Sequence, residues 1–214
     1  LQMAITSSIA AKDFWARSRN LKFLRFVHRL DGDTTGILLF AKSNGAVNTF
    51  GDMFEGRKME KTYLAVAHGS PKEKEWVCRL KLGPDLDQIG KMRVDPREGK
   101  DAETTFRVLQ VVGNAALIEA RPFTGRTHQI RVHLAESGYP IIGDEMYGSP
   151  VRKELGFRAI GLEYPAPFTK RSWRLRAPGP PGARHCRIWR SVHCGRRRGI
   201  SPRRPGIAYR IAGR

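Results

Sequence analysis

The pattern of apolar and polar positions divides the first half of the chain into strands and one helix. The short apolar run GILLFAKS (36–43) lies between a glycine and a polar break and predicts a buried strand. Residues 43–59 repeat apolar side chains near helical spacing, which predicts an amphipathic helix that Gly51 weakens. KTYLAVAH (61–68) is rich in branched and aromatic residues, and EWVCRLKLG (75–83) alternates, so both predict strands.

The second half continues with a hairpin, a helix and one or two last strands. Residues 103–123 predict a β-hairpin that turns at a Gly-Asn dipeptide. Residues 127–138 predict a helix with Thr127 as its N-cap and a glycine at its end, and residues 157–177 have room for the last strands. Hairpins with intervening helices predict an α+β fold whose mixed, mostly antiparallel central sheet is flanked by helices.

The distribution of charge differs between the first 170 residues and the C-terminal residues 171–214. The chain carries a formal net charge of +19, and residues 171–214 contain thirteen arginines but no lysine, aspartate or glutamate. The other 170 residues hold 26 basic and 20 acidic groups, a moderate excess that favours a polyanionic partner such as nucleic acid. We therefore expect one domain over residues 1–177 and a disordered Arg/Pro/Gly-rich tail over residues 178–214.

Composition excludes several classes of protein. No apolar run approaches the roughly 18–20 residues that span a bilayer, so no membrane partner is expected. The first residues lack a positive region ahead of an apolar core, so they do not form a secretory signal. Three scattered cysteines make a disulfide framework improbable, and the expected location is the reducing cytoplasm.

A first polar cluster, VHRLDGDTTG (27–36), places two carboxylates on a turn. Asp31 and Asp33 flank a glycine just before the predicted buried strand. A carboxylate at the mouth of a strand can face a cleft and act as a nucleophile or a base. The same residues are ordinary in an Asx-turn with no chemical role, and the cluster alone leaves both readings open.

A second polar cluster, GRTHQIRVHLAESG (125–138), combines arginine and imidazole on a predicted helix. His128 and Arg131 are three residues apart and share a face, while Arg126 precedes the helix, where it can reach a phosphate. A solvated helix face is the alternative. The five-residue spacing of His128 and His133 suits no metal site, and no Gly-rich phosphate loop indicates a nucleotide cofactor.

The two clusters together resemble a known family. HRLDGDTTGILLFAKS and GRTHQIRVHLAESGYPIIGDEMYG, with KTYLAV between them, closely resemble the RluA-type RNA pseudouridine synthases. The resemblance runs from about residue 26 to about residue 178 and includes GKDAETTFRVL and FTKRSWRLRAP. It implies the pseudouridine synthase fold over residues 1–177 and an isomerase that converts uridine in ribosomal or transfer RNA to pseudouridine, without a cofactor or metal.

The resemblance also implies roles for individual residues. Asp31 would be the catalytic aspartate, with Arg131 as its paired arginine. Tyr63 would stack on the base and remove the late proton, and Arg29 would help to displace the flipped base. The remaining expected contacts with substrate or RNA are His28, Leu39, Arg126, His128 and Ile130. In the GDEMYG segment, Asp144 is expected to hold a turn, and the role of Tyr147 is open.

Physical chemistry fits these roles. An arginine beside a buried carboxylate keeps the carboxylate ionised. Whether that carboxylate attacks the ribose or acts as a base to form a glycal stays open, and on either route it stabilises positive charge that develops on the sugar. The uridine must leave its stack to be reached, which implies base flipping.

The ends of the chain depart from the family pattern. Only 27 residues precede His28, without the KP-x-G segment of the family or an S4-type RNA-binding module, so we expect an N-terminally truncated domain. The alternative function is a catalytically impaired RNA-binding fragment; a DNA-binding module is disfavoured because no such motif is evident. The tail is either an RNA-binding arm or a non-native extension, and its His185-Cys186 and His193-Cys194 pairs fit no common zinc spacing. We expect a monomer.

Overall fold

The computed structural model describes residues 1–167 and 171–177, and the backbone of residues 208–212. The helices are α1 (Gln2–Ala10), α2 (Phe14–Arg17), α3 (Asn44–Glu55) and α4 (Gln129–Glu136), with a 3-10 turn at Glu145–Tyr147. The strands are β1 (Arg25–Phe26), β2 (Thr35–Ala41), β3 (Glu60–His68), β4 (Glu75–Cys78), β5 (Leu82–Pro84), β6 (Met92–Val94), β7 (Thr104–Val112), β8 (Ala115–Pro122), β9 (Phe157–Pro165), β10 (Ser172–Arg176) and β11 (Ala208–Ala212).

One mixed sheet organises the domain. Its strands run in the order β1-β2-β9-β3-β8-β7-β4, with β10 paired to β9 and β11 paired to β2. Among the described pairings only β2–β9 is parallel, and β5 and β6 form a separate two-stranded sheet. The predicted α+β fold with a mixed, mostly antiparallel sheet is therefore confirmed.

The buried strand β2 and the following helix form where the apolar pattern predicts them. Six of the seven β2 residues are buried, because the strand has core on both faces. The hydroxyl of Ser43 accepts a hydrogen bond from the backbone N–H of Ala46 and caps α3. Helix α3 then packs Phe50 and Met53 against Leu39 in the core.

Two local predictions differ from the structure. The segment predicted as one strand over residues 75–83 forms two, because β4 ends on β7 and the chain then leaves for the small sheet. The N-cap residue of α4 is His128 and not Thr127; it has a left-handed φ of 54° and makes no side-chain capping hydrogen bond. The Thr127 hydroxyl instead accepts a hydrogen bond from Arg29, so a tertiary contact replaces the expected cap.

The two ends of the chain add elements that the apolar pattern did not predict. Helices α1 and α2 pack Ile5 and Ala16 against Leu38 and Phe40 of β2. Strand β11 lies antiparallel to β2 within the tail for which the sequence predicts disorder, and the rest of that tail lies outside the described residues. No helix in the described part of the chain has the length and apolar character needed to cross a membrane.

Candidate active site

Asp31 lies at the edge of a small cavity, on the loop that leads into β2. Its backbone carbonyl accepts a hydrogen bond from the N–H of Thr34, 2.9 Å away, which closes the turn. Its side chain is 22% exposed and lies at the cavity. The cavity holds about 90 Å³, far less than the roughly 300–1,000 Å³ of drug-sized ligand sites. It therefore suits one ring-sized group.

The cavity collects most of the predicted site residues. It is lined by segments from the Asp31 loop, from β3 and from the start of α4, and the predicted residues among them are Arg29, Asp31, Tyr63, Arg126, His128, Ile130 and Arg131. These residues are up to 102 positions apart in sequence, from residue 29 to residue 131. The structure thus brings together the two polar clusters and KTYLAV.

Arg131 lies between two carboxylates and bonds most closely to Asp144. Its Nε and Nη2 donate to the two oxygens of Asp144 at 2.6 and 2.7 Å, whereas its Nη1 lies 3.9 Å from Asp31 Oδ2. Burial would lower the pKa of Arg131, but the hydrogen bonds and charge of Asp144 outweigh burial and raise it. The expected ion pair of Arg131 with Asp31 is present, and it is the longer of the two that Arg131 makes.

Asp144 has both a turn role and an ion-pair role. Its backbone carbonyl accepts hydrogen bonds from the N–H groups of Tyr147 and Ser149, as a turn residue should. Its side chain is buried and holds Arg131 through two oxygens. The sequence pattern indicated the turn but contained no signal for the partner.

His128 lies beside Asp31, and its other ring nitrogen is hydrogen-bonded to a tyrosine. Its Nδ1 lies 2.7 Å from the hydroxyl of Tyr147, and its Nε2 lies 4.0 Å from Asp31 Oδ2. Burial and the positive charge of Arg131 lower the pKa of His128. The imidazole is therefore neutral at neutral pH.

Tyr63 forms an aromatic wall of the cavity. Its ring stacks on Phe157, with ring centroids 5.2 Å apart and an interplanar angle of 14°. Burial and the negative charge of Asp31 raise the pKa of the Tyr63 phenol well above its ordinary value. The free site therefore presents a neutral phenol.

Lys61 is a cavity residue that the sequence reading missed. It lies two residues before Tyr63 on β3, on the same face of the strand. Burial lowers the pKa of its ammonium group. The sequence could have indicated Lys61, because residues two positions apart on a strand, such as Lys61 and Tyr63, share a face.

Gln129 is the second residue that sequence reasoning missed. Its side-chain oxygen accepts from the Thr124 hydroxyl and from the N–H of Arg126, and its Nε2 donates to the Glu103 carbonyl and the Thr104 hydroxyl. These bonds fasten the loop before α4 to the sheet. In the sequence, Gln129 could have been singled out as an amide placed between Arg126 and Arg131 on the predicted helix.

The arginines at the cavity are held by neighbouring groups. Arg29 Nη2 donates to the Thr127 hydroxyl at 2.7 Å, and Arg126 Nε donates to the Asp101 carbonyl at 3.0 Å. Each keeps further N–H groups beyond the one bond named here, since a guanidinium has five. The apolar Ile130 completes this side of the wall.

Two predicted site residues do not line the cavity. Leu39 is fully buried in the core beside Ile37 and Phe50. His28 accepts a hydrogen bond from the Leu39 N–H at its Nε2, 3.1 Å away, and burial lowers its pKa to about 4. Both side chains join β2 to its surroundings, and the contact of these two residues with substrate stays a prediction from the resemblance.

A larger groove adjoins the cavity and shares Lys61 and Pro122 with it. It holds about 580 Å³. At its edge the ring of Phe123 is 58% exposed, and the guanidinium carbon of Arg57 lies 4.9 Å from the ring centroid. The groove also contains Arg121, and on β10 the arginines 174 and 176.

The described residues were compared with the ligand clusters of metal sites. No group of three or more His, Cys, Asp or Glu side chains there is arranged to hold an ion. The His185-Cys186 and His193-Cys194 pairs lie outside the described residues.

Comparisons with known protein families and sequences all find pseudouridine synthases. The family model described as RNA pseudouridylate synthase matches residues 7–136. A ribosomal large subunit pseudouridine synthase C from Yersinia pestis is 35% identical over 175 residues, which cover 77% of this chain and 55% of that protein. The pseudouridylate synthase RPUSD2 from Mus musculus is 40% identical over 133 residues, 62% of this chain and 24% of that protein. The chain thus spans about half, or less, of the length of these curated relatives.

A solved structure extends the similarity to the fold. Human RNA Pseudouridylate Synthase Domain Containing 4 superposes with a TM-score of 0.69 at 25% identity, covering 82% of this chain and 79% of that one. Human RNA Pseudouridylate Synthase Domain Containing 1 gives a TM-score of 0.66 at 28% identity, covering 76% and 71%.

Proposed function

Because the chain belongs to the RNA pseudouridylate synthase family, and within it to the RluA type, we propose that it isomerises uridine to pseudouridine in RNA. The observation that carries this proposal is the position of Asp31. Its carboxylate faces a ring-sized cavity with the Arg131 guanidinium 3.9 Å away and the Tyr63 ring among the lining groups.

The reaction is an isomerisation, and its balance needs only the groups of the chain. The bond from the ribose to the uracil nitrogen breaks, the base rotates, and a ring carbon bonds to the ribose. That carbon loses a proton and the freed nitrogen gains one. Asp31 stabilises the positive charge on the ribose by attack or by proton removal, and a fixed carboxylate serves both routes. No redox carrier, nucleotide or metal enters the balance.

Tyr63 is suited first to stacking. Its ring is fixed in place by Phe157, and an aromatic face stacks on any base. Its raised phenol pKa disfavours proton removal while Asp31 is charged. The late proton transfer that the family resemblance assigns to Tyr63 follows bonding of the ring carbon to the ribose, when Asp31 is again a free carboxylate, so the phenol must first give up its own proton.

The RNA presents its uridine by base flipping in this proposal. Unstacking a base costs a few kcal/mol. Arg29 and Arg126 at the cavity rim offset this cost through phosphate contacts or by filling the vacated stack. The larger groove continues from the cavity, so we assign it to the nucleotides that flank the target, with Phe123 as a stacking surface.

Ribosomal RNA is the proposed substrate class, because the relative from Yersinia pestis is named a ribosomal large subunit enzyme. Transfer RNA is the other arm of the test. Cytoplasmic location and a monomeric state stay predictions from the sequence.

The test uses the full chain and unmodified transcripts of ribosomal and transfer RNA. Pseudouridine is mapped by carbodiimide labelling and primer extension, with heat-inactivated protein as the control. New stops in the ribosomal transcript alone support the proposal as stated, and stops in transfer RNA alone correct the substrate class. Binding without any product supports the alternative of an RNA-binding fragment.

A further inference from the structure

The hydroxyl of Tyr147 has a defined direction. It accepts a hydrogen bond from the backbone N–H of Met92 on β6, 2.9 Å away, and lies 2.7 Å from His128 Nδ1. Since the N–H of Met92 is a donor, the phenol proton is free to point at His128. Burial raises the pKa of Tyr147, so the phenol keeps that proton.

This direction determines the tautomer of His128. A neutral imidazole carries one proton, and the nitrogen that accepts a hydrogen bond is the one without it. With Nδ1 accepting from Tyr147, the proton lies on Nε2. That N–H lies 4.0 Å from Asp31 Oδ2, about 1 Å longer than a direct hydrogen bond.

The opposite tautomer would face the carboxylate with a lone pair. It would leave the phenol proton of Tyr147 unbonded and place two electron-rich atoms, Nε2 and Asp31 Oδ2, against each other. Both effects disfavour it in a partly buried site. Burial is the main reason that the imidazole stays neutral. Among the neighbouring charges, Arg131 and Arg29 also lower the pKa of His128, whereas Asp31 and Asp144 raise it by less than burial lowers it.

We propose that Tyr147 is a positioning residue that holds His128 in its Nε2–H tautomer, so that a hydrogen-bond donor faces the Asp31 carboxylate. Tyr147 also lies against the Arg131 guanidinium, whose central carbon is 4.9 Å from its ring centroid. Tyr147 thereby contacts both His128 and Arg131, while Asp144 holds the guanidinium, and the small β5–β6 sheet acquires a role in the site through Met92.

The backbone of His128 supports this assignment. Its left-handed φ of 54° at the start of α4 is unfavourable for a residue with a side chain. The Tyr147 bond is a specific contact that holds the imidazole in the orientation this backbone gives it.

The first test is spectroscopic and independent of activity. Long-range ¹H–¹⁵N NMR of the full chain reports which ring nitrogen of each histidine carries the proton, and His128→Gln identifies the His128 signals. We expect the Nε2–H form to dominate in the parent and Tyr147→Phe to give a mixture. Tyr139→Phe, a half-buried tyrosine packed on Trp76, is the matched control and should leave the tautomer unchanged.

The second test is kinetic and rests on the proposed isomerase activity. Tyr147→Phe keeps the ring against Arg131 and removes the hydroxyl's hydrogen bonds with His128 and Met92, so the single-turnover rate should fall about 5- to 10-fold with RNA affinity unchanged. A dominant Nδ1–H form in the parent overturns the proposal, as do equal tautomer populations in parent and variant. A changed tautomer with an unchanged rate overturns its functional part. An inactive parent overturns the proposed function and leaves the NMR result to decide the tautomer.

Discussion

At the scale of single residues, the site depends on how the Arg131 guanidinium is divided between the carboxylates of Asp144 and Asp31. Arg131 is held through two oxygens by Asp144, which is 2% exposed, and faces Asp31 at a longer distance. Asp144 thus fixes the guanidinium while the carboxylate of Asp31 stays open to the cavity. This arrangement leaves the Asp31 carboxylate available to a ligand, while the positive charge of Arg131 still balances its negative charge.

Removing the Asp144 charge should destabilise the fold. In Asp144→Asn the buried guanidinium loses its charged partner, and the free energy of unfolding should fall by about 3 kcal/mol. Urea denaturation measures this change. Asp33→Asn, on the exposed part of the Asp31 turn, is the control and should stay within about 0.5 kcal/mol of the parent. Equal stability of the two variants would contradict the role of Asp144.

His28 should make stability depend on pH. Burial lowers its folded pKa from 6.5 to about 4, so between these values the unfolded chain binds the extra proton. The free energy of unfolding therefore falls as pH drops from about 6.5 to about 4, by at most about 1.4 kcal/mol per pH unit. Urea denaturation at pH 7 and pH 5 should show a smaller loss in His28→Gln, whose amide oxygen still accepts from Leu39. A loss as large as the parent's would remove His28 as its cause.

Sequence reasoning identified catalytic candidates better than their partners. Asp31, Tyr63 and Arg131 were predicted, and all three reach the cavity. The bond from Arg131 to Asp144 and the absence of Leu39 from the cavity lining were not predicted, because both depend on which elements pack together. Residue spacing determines helix faces and strand faces, but a partner 13 positions away on a turn is set by the tertiary fold.

At the scale of elements, the parallel pairing of β2 with β9 limits what residue 36 can be. Gly36 has a φ of +124°, and a Cβ there would lie 2.1 Å from the Ala159 carbonyl oxygen. No side chain fits without moving the strand that follows the Asp31 loop. The glycine after DTT is therefore a packing requirement of the site.

Two glycine substitutions should have opposite effects. Gly36→Ala should lower the free energy of unfolding by at least about 3 kcal/mol, because backbone must shift. Gly51→Ala, inside α3 with open space around the new Cβ, should raise it by about 0.5–1 kcal/mol. Thermal or urea denaturation checks both. Equal stability of the Gly36→Ala variant and the parent would contradict the observed pairing.

Element types were predictable where apolar periodicity was strong. The β2 strand, α3, and the β7–β8 hairpin lie within a few residues of their predictions. The division of residues 75–83 between two sheets was not predictable, because an alternating pattern does not say which strand it will pair with. Helix α4 was predicted, but its left-handed cap was not.

At the scale of the whole molecule, the cavity and the larger groove form one continuous surface through Lys61 and Pro122. In the proposed function, one RNA strand would place its target base at Asp31 and its neighbours along the sheet. The acidic Glu119 and Glu163 of the groove pair with Arg121 and Arg174, so we expect stacking on Phe123 to contribute more to RNA binding there than net charge.

Phe123→Ala should weaken RNA binding about tenfold, since base stacking on an aromatic ring contributes about 1–3 kcal/mol. Phe123→Trp should restore it. Leu86→Ala, which removes an exposed apolar side chain that lines neither the cavity nor the groove, is the control. Filter binding with a ribosomal transcript gives the dissociation constants. Equal affinities for the Phe123→Ala and Leu86→Ala variants would exclude Phe123 from the RNA surface.

We propose that the Asp31 carboxylate performs the isomerisation. The most direct measurement is single-turnover pseudouridine formation by the parent, Asp31→Asn and Asp33→Asn, with RNA affinity measured beside it. We predict that Asp31→Asn binds RNA like the parent and forms no pseudouridine, while Asp33→Asn retains the parent's rate. Product formation by Asp31→Asn at the parent's rate would show that the reaction does not require the Asp31 carboxylate.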